Sequence, residues 1–312
     1  MAELADLFPG FEAHNIDTPA GRLFARTGGS GPPLLLMHGF PQTGVMWHRL
    51  APELAKTHSL VIPDLPGYGW SAAPEPGHDH APYSKRAMGE AMVRLMEHLG
   101  HAHFAIAAHD RGARVGYRIG LDHPGRLDKL AVLDIVPTSA MWHRMDRGRA
   151  MTVYHWLFLA QPHPFPETMI GKDPGYYFDW TLASWTGSKD LSAFDPRALA
   201  HYRAACAVPE RIRAMCEDYR AGATIDLLHD EADLAAGRTI DCPVLALWGN
   251  KGIPGRGEGP LEAWRPFAPD VTGAPVEAGH FVCEEAPEAV LAKLTPFLAS
   301  WSKSVFYGLA PT

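Results

Sequence analysis

The feature that most constrains this chain is a series of short, almost uninterrupted apolar runs: Leu34–Met37, Leu60–Ile62, Phe104–Ala107, Leu130–Leu133 and Val244–Trp248. A strand with one wet face alternates apolar and polar residues, so runs without alternation are expected of strands buried on both faces. Helical patterns lie between them. The clearest covers Ser84–Leu99, where Met88, Met92, Leu95, Met96 and Leu99 recur on one helical stripe and Gly100 stands where a C-terminal cap would. Strand–helix–strand alternation predicts an α/β fold, a mostly parallel sheet flanked by helices.

From about Pro137 to Ala223 the pattern changes to helical segments dense in aromatics, among them Trp142, Tyr154, Trp156, Tyr176, Tyr177, Trp180, Trp185 and Tyr219. No buried-strand run occurs there. The sheet pattern resumes at Val244, a last strand is expected near Val271–Glu277, and a helix near Pro287–Leu298 closes the chain. The organisation expected is therefore a core of residues 1–136 and 224–312 interrupted by a helical cap of residues 137–223. Ligands of open α/β sheets bind beyond the carboxyl ends of the strands, so a cap inserted after one of those ends would roof the site.

Composition narrows the partners. With Lys+Arg 28 against Asp+Glu 35 the net charge is −7, which argues against nucleic acid and means that an anionic ligand needs local cations. No segment approaches the roughly 18 apolar residues of a membrane span. The opening Met-Ala-Glu-Leu-Ala-Asp is acidic where a secretion signal needs cations, so a cytoplasmic address is expected. Cys206, Cys216, Cys242 and Cys283 form no Cys-x-x-Cys pair and read as buried thiols. His78, His80, His101 and His103 form His-x-His pairs without an evident third ligand, so they read as solvated loop residues, with no metal or other cofactor expected.

The strand ends carry the chemistry. They are followed by His38-Gly39, Asp64, Asp110, Asp134 and Gly279-His280. The run Ala108-His109-Asp110-Arg111-Gly112 has the small-x-nucleophile-x-small form of a nucleophile elbow, with Asp where hydrolases commonly place Ser. Taken alone, such an Asp also serves as a helix N-cap. As a nucleophile it points to one reaction type. A carboxylate attacking an acyl carbon gives an anhydride, whereas one attacking a saturated carbon that bears a leaving group gives an alkyl ester that water can hydrolyse. Arg111 and Arg114, at i and i+3, can share a helix face, either in an ion pair with Asp110 or as a clamp for a substrate anion.

In order along the chain, His38-Gly39-Phe40-Pro41, Asp64-Leu65-Pro66-Gly67-Tyr68-Gly69-Trp70-Ser71, the elbow and Gly279-His280 resemble the α/β-hydrolase superfamily over nearly the whole length. Within it, His109-Asp110-Arg111-Gly112-Ala113-Arg114, Tyr154-His155-Trp156 and Cys216-Glu217-Asp218-Tyr219-Arg220 are most similar to the fluoroacetate dehalogenases. That resemblance implies Asp110 as nucleophile, His280 as the base that activates water and Asp134 as its orienting acid. It further implies Arg111 and Arg114 on the carboxylate of a small haloacid, a halide pocket of His155, Trp156 and Tyr219, and an oxyanion hole from the backbone N–H groups of Phe40 and Arg111. It allows a homodimer. The Gly249-Asn250-Lys251-Gly252 loop, a usual place for the orienting acid, holds no carboxylate. The rival within the superfamily is an epoxide hydrolase, which has Trp where this chain has Arg111 and needs two cap tyrosines. A haloalkane dehalogenase would place Asn at Phe40 and Trp at Arg111. A non-catalytic ligand-binding protein of this fold would be expected to lack a member of the Asp110, His280, Asp134 set.

Overall fold

The computed structural model describes residues 4–18, 20–252, 254 and 259–299. Eight strands form one sheet in the order β1-β2-β4-β3-β5-β6-β7-β8. The apolar runs are its centre: β3 (Pro33–Met37), β4 (Ser59–Pro63), β5 (Phe104–His109), β6 (Leu127–Leu133) and β7 (Val244–Gly249), followed by β8 (Thr272–Val276). These six pair in parallel, and β5 is buried along its whole length, as expected of a strand covered by helices on both faces. Two further strands, β1 (Glu12–Thr18) and β2 (Gly21–Gly28), form an antiparallel hairpin at one edge, with β2 antiparallel to β4. Their exposed, polar outer faces give them no continuous apolar run, and the sequence reading had no strand here.

The methionine-striped helix is Lys85–His98, capped by Ser84, whose hydroxyl accepts from the Ala87 N–H. It packs against the helix Asp110–Asp122, which follows β5 with no intervening residue. Between β6 and β7 the described residues form eight helices, from Thr138–His143 to Ile225–Ala235, and no strand. Asp173 and Asp195 cap two of these, each followed directly by Pro at the first helical position. The last, Ile225–Ala235, turns back to the sheet's helices: Asp230 accepts from Tyr117 and Arg118.

Register decides which strand ends meet. His109 lies opposite Leu133, and Leu133 opposite Leu247, so the residues that follow β5, β6 and β7 emerge side by side. The chain leaves β3 in one lateral direction towards β4 and β5 in the other towards β6, so the crevice opens between the ends that carry Phe40 and Asp110. All four cysteines are free thiols, three buried and Cys242 partly so. Among the described residues no helix is long and apolar enough to cross a membrane, and no three His, Cys, Asp or Glu side chains group as metal ligands. His80 is tied down rather than free in solvent, its Nδ1 2.6 Å from Glu217 Oε2.

Candidate active site

Asp110 opens its helix at φ 44°, a left-handed conformation that costs an L-residue roughly 1–2 kcal/mol. This sharp turn aims the carboxylate off the end of the sheet. Glycines make room for it: a Cβ on Gly39 would lie 2.4 Å from Asp110 Cβ, and one on Gly112 would lie 2.3 Å from the His38 carbonyl oxygen. Asp110 Oδ1 accepts from the Phe40 N–H at 3.0 Å. The Arg111 N–H is in the first helical turn, where backbone donors lack an intrahelical acceptor. Burial works against the charge on Asp110, but His280, His109, Arg111 and Arg114 outweigh it and hold the carboxyl below its ordinary range.

His280 and Asp134 meet across 146 positions of sequence, with His280 Nδ1 2.6 Å from Asp134 Oδ2. Asp134 is almost fully buried, and its other oxygen accepts from the Gly249 N–H at 2.8 Å. An ionised carboxylate only accepts, so the hydrogen of the neutral imidazole sits on Nδ1 and Nε2 is left as the basic nitrogen. Burial lowers the His280 pKa, but the hydrogen bond and charge of Asp134, joined by Asp110, win and raise it. The loop bearing His280 is tied in place by groups that the sequence reading assigned no role. Its N–H donates to the Trp185 carbonyl at 2.9 Å, and the Glu285 carboxylate accepts from the N–H groups of Gly187, Gly279 and Phe281. Glu284, buried beside it, accepts from Tyr202 and from Gln42 of the Phe40 loop; burial pushes its carboxyl up to about 7.

The two arginines are buried at the site, but neither pairs with Asp110 among the described residues. Arg111 turns to the helix Pro209–Ala223, where its Nε and Nη2 donate to Asp218 Oδ2 and Oδ1 at 2.9 and 2.6 Å. The fork expected to grip a ligand carboxylate is thus filled by Asp218. Arg114 donates from Nη1 to the Val136 carbonyl and the Thr138 hydroxyl, and its guanidinium stands 4.6 Å from the centre of the Trp156 ring. Arg111 Nη1 and Arg114 Nε are buried without a partner.

A cavity of about 30 Å³, room for a ligand of a few heavy atoms, is lined by Asp110, Arg114, Asp134, His155, Trp156, Trp185 and His280, with Ile135, Met141, Val153 and Pro254. Arg111, Phe40 and Tyr219 are not among these lining residues. They join it through contacts: the Arg111 guanidinium lies 4.3 Å from the Tyr219 ring, which is 5.2 Å from Phe40 and 5.6 Å from His155. His155 is neutral, pulled down to about 3 by burial against the opposing charge of Asp110, and its Nδ1 has no partner. Tyr154 faces elsewhere, into an outer groove with Met151 and Trp180. Trp185, missed as a site residue, stands 4.2 Å from His155; only its place in the aromatic-rich segment marked it in sequence.

Residues 32–287 match the family described as the alpha/beta hydrolase fold. The chain is 42% identical over 293 residues to the fluoroacetate dehalogenase of Burkholderia sp, covering 94% of this chain and 95% of the relative. It is 31% identical to the soluble epoxide hydrolase of Corynebacterium sp. (strain C12), covering 89% of this chain and 94% of the relative. A crystal structure from Nostoc sp PCC 7120, described as that of an α/β hydrolase, superposes with a TM-score of 0.90 at 48% identity over 93% of this chain and 99% of the other.

Proposed function

Because the chain belongs to the α/β-hydrolase fold family, we propose that it is a hydrolytic dehalogenase, cleaving the carbon–halogen bond of fluoroacetate and other haloacetates to glycolate and halide. One observation carries the reading. A buried, ionised carboxylate at the elbow shares a small cavity with the buried guanidinium of Arg114, which has neutral oxygens as its hydrogen-bond partners. That combination suits a small anion whose saturated carbon is to be attacked. The fluoroacetate dehalogenase of Burkholderia sp adds support.

In this mechanism Asp110 Oδ1, held by the Phe40 N–H, stays the carbonyl oxygen, and Oδ2 attacks the α-carbon. The halide leaves with the bonding electrons towards His155, Trp156 and Tyr219, whose N–H and O–H groups replace its hydration shell. His280 Nε2 then takes a proton from water as the hydroxide adds to the Asp110 acyl carbon. The Phe40 and Arg111 N–H groups receive the oxyanion, and collapse releases glycolate, whose alkoxide takes the proton from His280. The carboxylic acid left at Asp110 gives its proton to solvent, which restores the carboxylate and releases one H+ per turnover. Formation of the ester removes the Asp110 charge that helps hold a proton on His280, so the first step prepares the base for the second.

The rival reading is an epoxide hydrolase, as the Corynebacterium relative is named. Against it stands the orientation of Tyr154, which lines the outer groove and leaves Tyr219 as the cap tyrosine beside the site. The test is His280→Asn incubated with fluoroacetate or bromoacetate, followed by intact-mass analysis. The expected protein gains the mass of the substrate minus halide and keeps it. Halide released in stoichiometric amount from an unmodified protein refutes the mechanism, and diol formed from a styrene-type epoxide by the unaltered protein supports the rival.

A further inference from the structure

Arg111 belongs to a closed group of buried charges. Asp218, which fills its fork, also accepts from Lys85 Nζ and from the Tyr68 hydroxyl at 2.7 Å. Lys85 Nζ in turn lies 3.0 Å from Asp226 Oδ2, and the Lys85 N–H donates to Asp226 Oδ1 at 2.8 Å. Arg111 and Asp218 are wholly buried, and Lys85 and Asp226 nearly so. Two cations therefore face two carboxylates, and the group is neutral before any ligand arrives. Its geometry is also tight. A Cβ on Gly222 would come within 3.0 Å of Arg111 Nη2, and the Tyr219 ring covers the guanidinium on another side. One terminal nitrogen, Nη1, is left without a partner.

Arg114 differs. No carboxylate lies within ion-pair distance of it among the described residues, its hydrogen bonds go to the neutral oxygens of Val136 and Thr138, and it lines the cavity where Arg111 does not. Burial and the neighbouring charge of Arg111 both press its pKa down. A ligand carboxylate would relieve that imbalance.

We propose that the two arginines divide the work at the substrate carboxylate: Arg114, which lines the cavity, is the unmatched cation that selects for negative charge, whereas Arg111 is neutralised by the positioning residue Asp218, which holds it against the Tyr219 ring without adding net charge to the site. This rests on the haloacetate reading and deepens it. The division has an unusual corollary. Removing the Asp218 charge frees the charge of Arg111, so carboxylates bind more tightly while the hold that keeps Arg111 against Tyr219 is lost.

The experiment compares bromoacetate with bromoacetamide, whose shared leaving group removes fluoride chemistry from the comparison. Arg114→Gln is expected to lower the acid-over-amide ratio in kcat/KM by on the order of 10²-fold, the scale of an unpaired buried charge. The double variant Arg111→Gln/Asp218→Asn removes the pair together and leaves Lys85 with Asp226. It should slow both substrates in parallel and keep the ratio within about tenfold of the unaltered protein. Asp218→Asn alone should lower kcat on bromoacetate and also lower the inhibition constant of acetate. A merely structural Asp218 would not tighten acetate, and this variant decides the matter if the double variant does not fold. A ratio lost as deeply in the double variant as in Arg114→Gln, or weaker acetate binding in Asp218→Asn, overturns the division. Equal turnover of acid and amide by the unaltered protein is a separate result, one that removes the haloacetate reading and this proposal with it.

Discussion

Replacing Asp134 with Asn separates the two chemical steps, and the structure sets the size of the effect. Two buried donors point at this side chain, His280 Nδ1 at 2.6 Å and the Gly249 N–H at 2.8 Å, and the carboxylate has one oxygen for each. Asn keeps one oxygen. If that oxygen faces His280, the amide NH2 opposes the Gly249 N–H and a buried donor goes unmet, at a cost of about 1–3 kcal/mol. If it faces Gly249, the NH2 meets Nδ1, so the proton moves to Nε2 and the imidazole cannot take one from water. Either way the negative charge that stabilises the imidazolium is gone. Ester hydrolysis should slow by roughly 10²–10⁴-fold, about 3–5 kcal/mol in the barrier. Alkylation uses Asp110 and should change by less than about tenfold, since no bond to Asp134 is made or broken in that step. Rapid-quench measurement with bromoacetate should therefore show a halide burst equal to the enzyme present, then a slow phase, with the ester visible by intact mass. Halide release with no burst, slowed as much as steady-state turnover, would refute the assignment of Asp134 and His280 to the second step alone.

Three further outcomes follow from particular contacts. Tyr219→Phe keeps the ring against Phe40 and His155 but removes the hydroxyl, so single-turnover defluorination should fall by roughly 10²-fold and debromination far less; equal losses would make Tyr219 a packing residue. Glu284, pushed up to about 7 by burial from an ordinary 4.5, binds a proton more tightly in the folded chain than in the unfolded one, so stability should fall by roughly 2–3 kcal/mol as pH rises through 4.5 to 7. Glu284→Gln should flatten that part of the urea-midpoint profile, and an unchanged slope would place the pH dependence elsewhere. Gly112→Ala would drive a methyl group to 2.3 Å from the His38 carbonyl oxygen, backbone that cannot swing aside, and should lower stability by roughly 1–3 kcal/mol with loss of activity; a variant as stable and active as the unaltered protein would show that the elbow has slack.

The central strands, the methionine-striped helix and the elbow were legible in the chain because each is written in local pattern. Apolar runs without alternation require burial on both faces, and Ser84 and Gly100 mark the ends of one helix. The β1–β2 hairpin was not legible, because an edge strand with a wet face needs few apolar residues and its pairing with β4 is made by residues far along the chain. The residues of the site could be named from motifs, yet their partnerships could not. Asp134 and His280 are joined by the register of β6, β7 and β8, and the capture of Arg111 by Asp218 spans 107 positions. Sequence put Arg111 and Arg114 on one helix face as equals; packing against the helix Pro209–Ala223 made one a matched charge and left the other unmatched. Likewise Tyr154 and Tyr219 are both cap tyrosines by sequence, and only the cap's folding turns one to the site and the other to an outer groove. Local periodicity specifies which backbone forms and which face is buried, since those depend on neighbours within a turn or a strand. Which buried charge meets which depends on how distant elements pack, and that information exists only once the elements are in place.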